Sequence, residues 1–86
     1  TFSEETRKSI KLLREALEGK EREEASRISH KLIPLFTMLG ANSLVQHLRI
    51  LEKNDEELTD SGWYHLLGEV IEQALAIVKD AESAIG

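Results

Sequence analysis

The chain has 86 residues, no cysteine and a formal net charge of −5. Its length allows one domain at most, and without cysteine it can form neither a disulfide nor a metal site with thiolate ligands. The acidic balance argues against nucleic acid as a direct partner, because phosphate backbones favour a basic surface. No apolar run approaches the roughly 20 residues that span a bilayer, and no signal-peptide pattern is present, so we expect no direct membrane contact.

Two amphipathic helices are predicted in the first half of the chain. The first covers residues 3–18, with Ser3 as its N-cap and Gly19 as its stop. The second covers residues 21–39 and stops at Gly40. Each helix carries an apolar stripe that recurs every three or four residues. The stripes are Phe2, Thr6, Ile10, Leu13 and Leu17 in the first helix, and Ala25, Ile28, Leu32, Leu35, Phe36 and Leu39 in the second.

Two further helices are predicted in the second half. The third covers residues 43–53 after Asn42, which we expect to be its N-cap. The fourth covers residues 60–83 and begins at Thr59 or Asp60, both good caps. Four amphipathic helices with short connections predict an all-α protein, an antiparallel up-down-up-down four-helix bundle. We expect residues 1–86 to form a single domain.

Two helix-breaking residues lie inside predicted helices. Gly68 costs the fourth helix roughly 1 kcal/mol relative to alanine, which indicates either a close approach of another helix or a tolerated surface glycine. Pro34 removes the amide that would bond to the carbonyl of His30. The resulting kink either wraps the second helix around the core or helps to present His30.

Three histidines are the candidates for chemistry. His30 lies opposite the apolar stripe of the second helix, where packing gives no reason for an imidazole, and an exposed imidazole can act as a nucleophile. His47, on the flank of the third helix, and His65, on the outer side of the fourth, are expected to have no chemical role. A zinc site made of all three is disfavoured, because no two of them stand at i, i+4 on one helix.

A set of positions downstream of His30 has a recognisable spacing. Relative to that histidine, Leu32 stands at +2, Gly40-Ala41 at +10 and +11, Leu44 at +14, and Leu51-Glu52 at +21 and +22. This spacing resembles the histidine phosphotransfer (HPt) domain family of two-component phosphorelays, over about residues 25–52. The family pattern continues with lysine at +3 and glycine at +4, where this chain has Ile33 and Pro34.

The resemblance implies a phosphorelay intermediate. His30, through its outer nitrogen Nε2, would accept a phosphoryl group from the Asp of a response-regulator receiver domain and pass it to the Asp of another. Without the family lysine, Arg27 or Lys31 would supply the positive charge beside the phosphoryl group. The receiver is expected to contact an exposed patch around His30 that comprises Arg27, Lys31, Ile33, Pro34 and Thr37.

The resemblance also sets expectations about cofactors and context. No cofactor or metal is expected in this domain, and the receiver would bring Mg²⁺ and a lysine. We expect a monomer without independent catalytic turnover, located in the cytoplasm or in the cytoplasmic part of a membrane-bound sensor kinase. The expected parent is a hybrid sensor kinase, and a free-standing relay protein is the alternative. The alternative is a degenerate helical module that docks a receiver or another protein without covalent phosphorylation. A hydrolase or metal enzyme is disfavoured, because no face carries a cluster of carboxylates and histidines.

Overall fold

Four helices build the whole of the described chain. The computed structural model describes residues 2–85, and side chains for residues 4–84. The helices are α1 Phe2–Gly19, α2 Arg22–Met38, α3 Asn42–Lys53 and α4 Asp60–Ile85. Each packs against its neighbour along the chain, and α1 also packs against α4, while residues 2–85 contain no strand. The fold is therefore an all-α antiparallel four-helix bundle, and its sequence-based prediction is confirmed.

The core is formed by the apolar stripes of all four helices, with Trp63 and Phe36 as its largest fully buried side chains. Leu17 and Leu35 are half-buried against it. Leu39 was predicted in the stripe of α2 but is 44% exposed, because the helix ends at Met38 and the chain then turns away. The side chain of Phe2, also predicted in the core, lies outside the described side chains.

The ends of α1 and α2 share one geometry, a left-handed residue just beyond the helix. At the end of α2 this residue is Gly40, with φ of +75°, as the sequence predicts. At the end of α1 it is Lys20, with φ of +55°, and not the predicted Gly19. The amide of Glu21 donates to the carbonyl of Ala16 (2.8 Å), which closes the turn. This arrangement is a Schellman motif, which satisfies carbonyls at the end of the helix whichever residue occupies the left-handed position.

The starts of α3 and α4 differ in how they are capped. Asn42 was predicted to be the N-cap of α3, but it lies inside the helix, and Ala41 holds the cap position without a side-chain bond. The helix therefore begins at Asn42, one residue earlier than the sequence predicts. At α4 the prediction is confirmed: the Thr59 hydroxyl accepts a hydrogen bond from the amide of Gly62 (3.0 Å). The side chain of Ser3, the predicted cap of α1, lies outside the described side chains.

Arg22, at the start of α2, holds the connection between α3 and α4. Its guanidinium donates to the Asp55 carbonyl (3.3 Å) and the Asp60 carboxylate (3.0 Å), and it lies 6.0 Å from the ring centre of the buried Trp63. Within the connection, the amide of Glu57 donates to the Asp55 carboxylate (3.2 Å) and lowers the pKa of Asp55 below its ordinary value. These bonds fix the chain just after α3.

No helix among the residues that the structure describes is both long and apolar enough to cross a membrane.

We predict opposite effects for two glycine-to-alanine substitutions. A Cβ at Gly68 would meet no heavy atom within 4 Å, so a close helix approach does not explain this glycine, and Gly68→Ala should raise the free energy of unfolding by about 1 kcal/mol. A Cβ at Gly40 is equally free of contacts, but φ is +75° there, so Gly40→Ala should lower the free energy of unfolding by about 1 kcal/mol. Urea denaturation followed by circular dichroism measures both. A destabilised Gly68→Ala variant would contradict the open space seen around that residue.

Candidate functional site around His30

His30 lies in the middle of α2 with its side chain in solvent. The imidazole is 73% exposed, as expected for a position opposite the buried stripe. The preceding residue, Ser29, is fully buried, so the backbone beside His30 is anchored in the core. A rigid helix therefore presents the ring outward, which suits a group that must reach a second protein.

Glu52, in the last turn of α3, orients the imidazole. Its carboxylate oxygen Oε1 lies 2.5 Å from Nδ1 of His30. A carboxylate can only accept a hydrogen bond, so this contact places the ring proton on Nδ1. Nε2 then keeps its lone pair and bonds to none of the described residues. An exposed pair of this kind adds only about 0.2–1 kcal/mol to stability, so its main effect is on the orientation and tautomer of the ring.

Glu52 was not among the predicted site residues. The sequence does contain a signal for it, because Leu51-Glu52 belongs to the spacing that starts at His30. Helix periodicity places Glu52 on a flank of α3 but does not say which helix that flank faces, so the contact could not be derived from the pattern alone.

The two predicted cations have different neighbours. Arg27 is exposed and forms an ion pair with Glu24, one turn earlier on the same helix. Lys31 lines a shallow groove between α2 and α1, together with Thr6 and Ser9. Neither cation bonds to the His30 ring in the structure, so the unphosphorylated site has no preformed cationic pocket among the described side chains.

The predicted exposure of Ile33 is wrong. Its side chain is half-buried and packs against the core. Ile33 follows His30 by three residues, which turns it about 60° around the helix axis toward α3. Ser26 lies on this same side and bonds directly to α3. The neighbouring helix therefore covers a residue that the periodicity of α2 alone places outside the core.

The C-terminal part of α2 beyond His30 is exposed and partly apolar. Pro34 is exposed, and α2 continues through it as one helix to Met38. Thr37 is also exposed, and its hydroxyl donates to the carbonyl of Ile33 (2.6 Å). Met38 is 87% exposed and was not predicted to take part in the site. An exposed methionine beside the predicted patch widens its apolar area.

The other two histidines have different surroundings. His47 is half-buried, and its Nδ1 is buried without a hydrogen-bond partner in the part of the chain that the structure describes. His65 is exposed and meets the ring of Tyr64 edge-on, with 6.4 Å between ring centres. No group of three or more metal-binding side chains occurs among the described residues. His30 alone among the three histidines combines high exposure with a carboxylate on Nδ1.

Comparison with known protein families identifies the family of this chain. The family model described as "Hpt domain" matches residues 1–81. The chain therefore belongs to the Hpt domain family, whose members carry out phosphotransfer in two-component signalling and interact with response-regulator receiver domains. Neither the curated proteins nor the solved structures gave a match to this chain.

We predict that Glu52 controls the tautomer of His30. In the wild-type domain, the neutral ring should carry its proton on Nδ1, because Glu52 accepts from it. Glu52→Ala should shift the ring toward the Nε2–H form, because no carboxylate then accepts from Nδ1. Nitrogen-15 NMR of the ring nitrogens distinguishes the two tautomers. Identical spectra for wild type and Glu52→Ala would contradict this control.

Proposed function

We propose that His30 is the phosphoacceptor of this domain, and that it takes a phosphoryl group from a receiver-domain Asp and passes it to the Asp of another receiver. The observation that carries the proposal is the pairing of an exposed imidazole with a carboxylate on Nδ1. That pairing leaves a lone pair on Nε2, directed to solvent, which is what a nucleophile needs. Membership of the Hpt domain family supports the same chemistry.

The transfer step follows from the geometry of the ring. The Nε2 lone pair of His30 attacks the phosphorus of the aspartyl phosphate, the P–O bond to the Asp carboxylate breaks, and that carboxylate leaves with the bonding electrons. The proton on Nδ1 stays in place, so the phosphorylated ring gains positive charge. Glu52, 2.5 Å from Nδ1, lies where that charge develops and stabilises it. The reverse sequence passes the group to the next receiver.

The receiver supplies what this domain lacks. Phosphoryl transfer needs in-line geometry and positive charge around the phosphoryl oxygens. Neither Arg27 nor Lys31 bonds to the His30 ring, and Arg27 forms an ion pair with Glu24. We therefore assign Mg²⁺ and a lysine to the receiver and no cofactor to this domain.

The proposed receiver footprint is centred on His30. It comprises Arg27, Lys31, Pro34 and Thr37, with the half-buried edge of Ile33 and the exposed Met38. Exposed apolar area beside a reactive group suits a protein partner. We further propose, on the family resemblance, that the domain acts as a monomer in the cytoplasm and belongs to a hybrid sensor kinase.

We predict that His30→Gln abolishes phosphoryl acceptance and leaves the fold intact, because the side chain is 73% exposed and has no core contact. The measurement is incubation with receiver domains preloaded from radiolabelled acetyl phosphate. The wild-type domain should take up a label that is labile in acid and stable in base, the signature of a phosphoramidate.

His65→Gln is the matched control, since His65 is an exposed histidine on another helix and should leave acceptance unchanged. His47→Gln should also accept label. Uptake of label by His30→Gln would overturn the assignment of the nucleophile. Receiver binding without any label on the wild-type domain would favour the docking module that lacks covalent chemistry.

We predict that Arg27→Ala shortens the lifetime of phospho-His30, or slows its formation, more than Lys31→Ala does. Arg27 stands one turn before His30, whereas Lys31 is turned about 100° away and lies over the groove to α1. The effect should be about 1 kcal/mol, because the site is exposed and screened. Glu24→Gln should have the opposite effect, since it releases the guanidinium from its ion pair. Equal lifetimes in all variants would show that the receiver alone supplies the positive charge.

A further inference from the structure

Three residues of α2 at four-residue spacing, Arg22, Ser26 and His30, contact the C-terminal end of α3. We call them the α2 row. Arg22 Nε donates to Asn54 Oδ1 (2.9 Å), Ser26 Oγ donates to the carbonyl oxygen of Glu52 (2.5 Å), and Nδ1 of His30 lies 2.5 Å from Glu52 Oε1. Ser26 and His30 thus hold the backbone and the side chain of one and the same residue.

The hydrogen bond from Ser26 supplies a donor to a carbonyl at the end of α3 that has no partner within its own helix. The last four carbonyls of a helix lack an amide partner within that helix. α3 ends at Lys53, so the carbonyl of Glu52 is one of these four. The half-buried hydroxyl of Ser26 supplies the donor from the neighbouring helix. The last turn of α3 is therefore attached to α2 one turn before His30.

The buried residues of α2 next to Ser26 are small, and α2 packs closely against α3. Ala25 and Ser29 are both fully buried, and they flank Ser26 on the inner side of α2. α2 and α3 share the largest interface between any two helices of the described bundle.

We propose that Ser26 is a positioning residue for phosphotransfer, which it supports by fixing the Glu52 backbone so that the Glu52 carboxylate reaches Nδ1 of His30. The proposal rests on the proposed function of His30 as phosphoacceptor. Its physical basis is the narrow range of hydrogen-bond geometry: a donor and acceptor more than about 3.2 Å apart are only weakly bonded. Without the Ser26 bond the end of α3 can move, and the Glu52 carboxylate then loses its fixed distance to the ring.

The test uses Ser26→Ala, with Ser26→Thr as the variant that keeps the hydroxyl and Ser83→Ala as the matched control on the exposed surface of α4. Ser26→Ala should reduce the fraction of His30 rings that carry their proton on Nδ1, as measured by nitrogen-15 NMR of the unphosphorylated domain. It should also slow label transfer from a phosphorylated receiver about tenfold, less than the roughly 100-fold that a 1 Å misplacement can cost. Ser26→Thr should restore both properties, and Ser83→Ala should change neither.

The two readouts separate this proposal from the proposed function. If Ser26→Ala keeps the wild-type tautomer and transfer rate while folded, Ser26 is not a positioning residue. If Ser26→Ala slows transfer with an unchanged tautomer, the effect does not pass through Glu52, and the proposal is likewise overturned. If the wild-type domain takes no label, the proposed function fails, but the tautomer measurement still decides whether Ser26 controls the ring. If Ser26→Ala folds poorly, Ser26→Thr is compared with Ser26→Val, which has nearly the same shape but no hydroxyl: a shifted tautomer in Ser26→Val alone supports the proposal, and equal tautomers in the two variants overturn it.

Discussion

The contact between the α2 row and the end of α3 is the constraint on which the site depends. His30 stands eleven residues before Ala41, and Glu52 stands eleven residues after it. Two antiparallel helices rise equally per residue, so a tight turn centred near Ala41 brings the two residues to the same height. The left-handed Gly40 makes that tight turn. The Gly-Ala pair therefore sets the register that brings a carboxylate to the imidazole.

Two side chains of the α2 row, Ser26 and Arg22, bind the end of α3 and the connection that follows it. Ser26 binds the Glu52 carbonyl, while Arg22 binds Asn54, the Asp55 carbonyl and Asp60 at the start of α4. Arg22 also lies near the face of the buried Trp63, so the connection after α3 is joined to the core through that ring. Polar contacts on the surface of α2 and apolar packing beneath it fix the same segment. A mobile carboxylate could not select one tautomer of an exposed imidazole.

The fold could be predicted from the sequence because its signals are local. Apolar periodicity identifies the four helices, and the left-handed turn at Gly40 and the cap at Thr59 depend on residues within one turn. Two of the errors depend on the position of a second helix, whereas the error at Asn42 is local. Ile33 was placed in solvent because its position relative to α3 is a tertiary property, and Glu52 was left out of the site for the same reason. Asn42 failed as a cap because the preceding turn already leads into α3.

The departure of this chain from the family pattern now has a physical consequence. At +3 from His30, the family lysine would be a cation, whereas Ile33 packs partly into the core and contributes no charge. The groups in contact at the site are instead acidic: Glu52 on the ring and Glu24 on Arg27. A carboxylate on Nδ1 favours the positive ring, but nothing equivalent is preformed for the phosphoryl oxygens among the described residues. On the proposed function, the charge on those oxygens must then be neutralised largely by the receiver, so efficient transfer at this site depends on the docked complex.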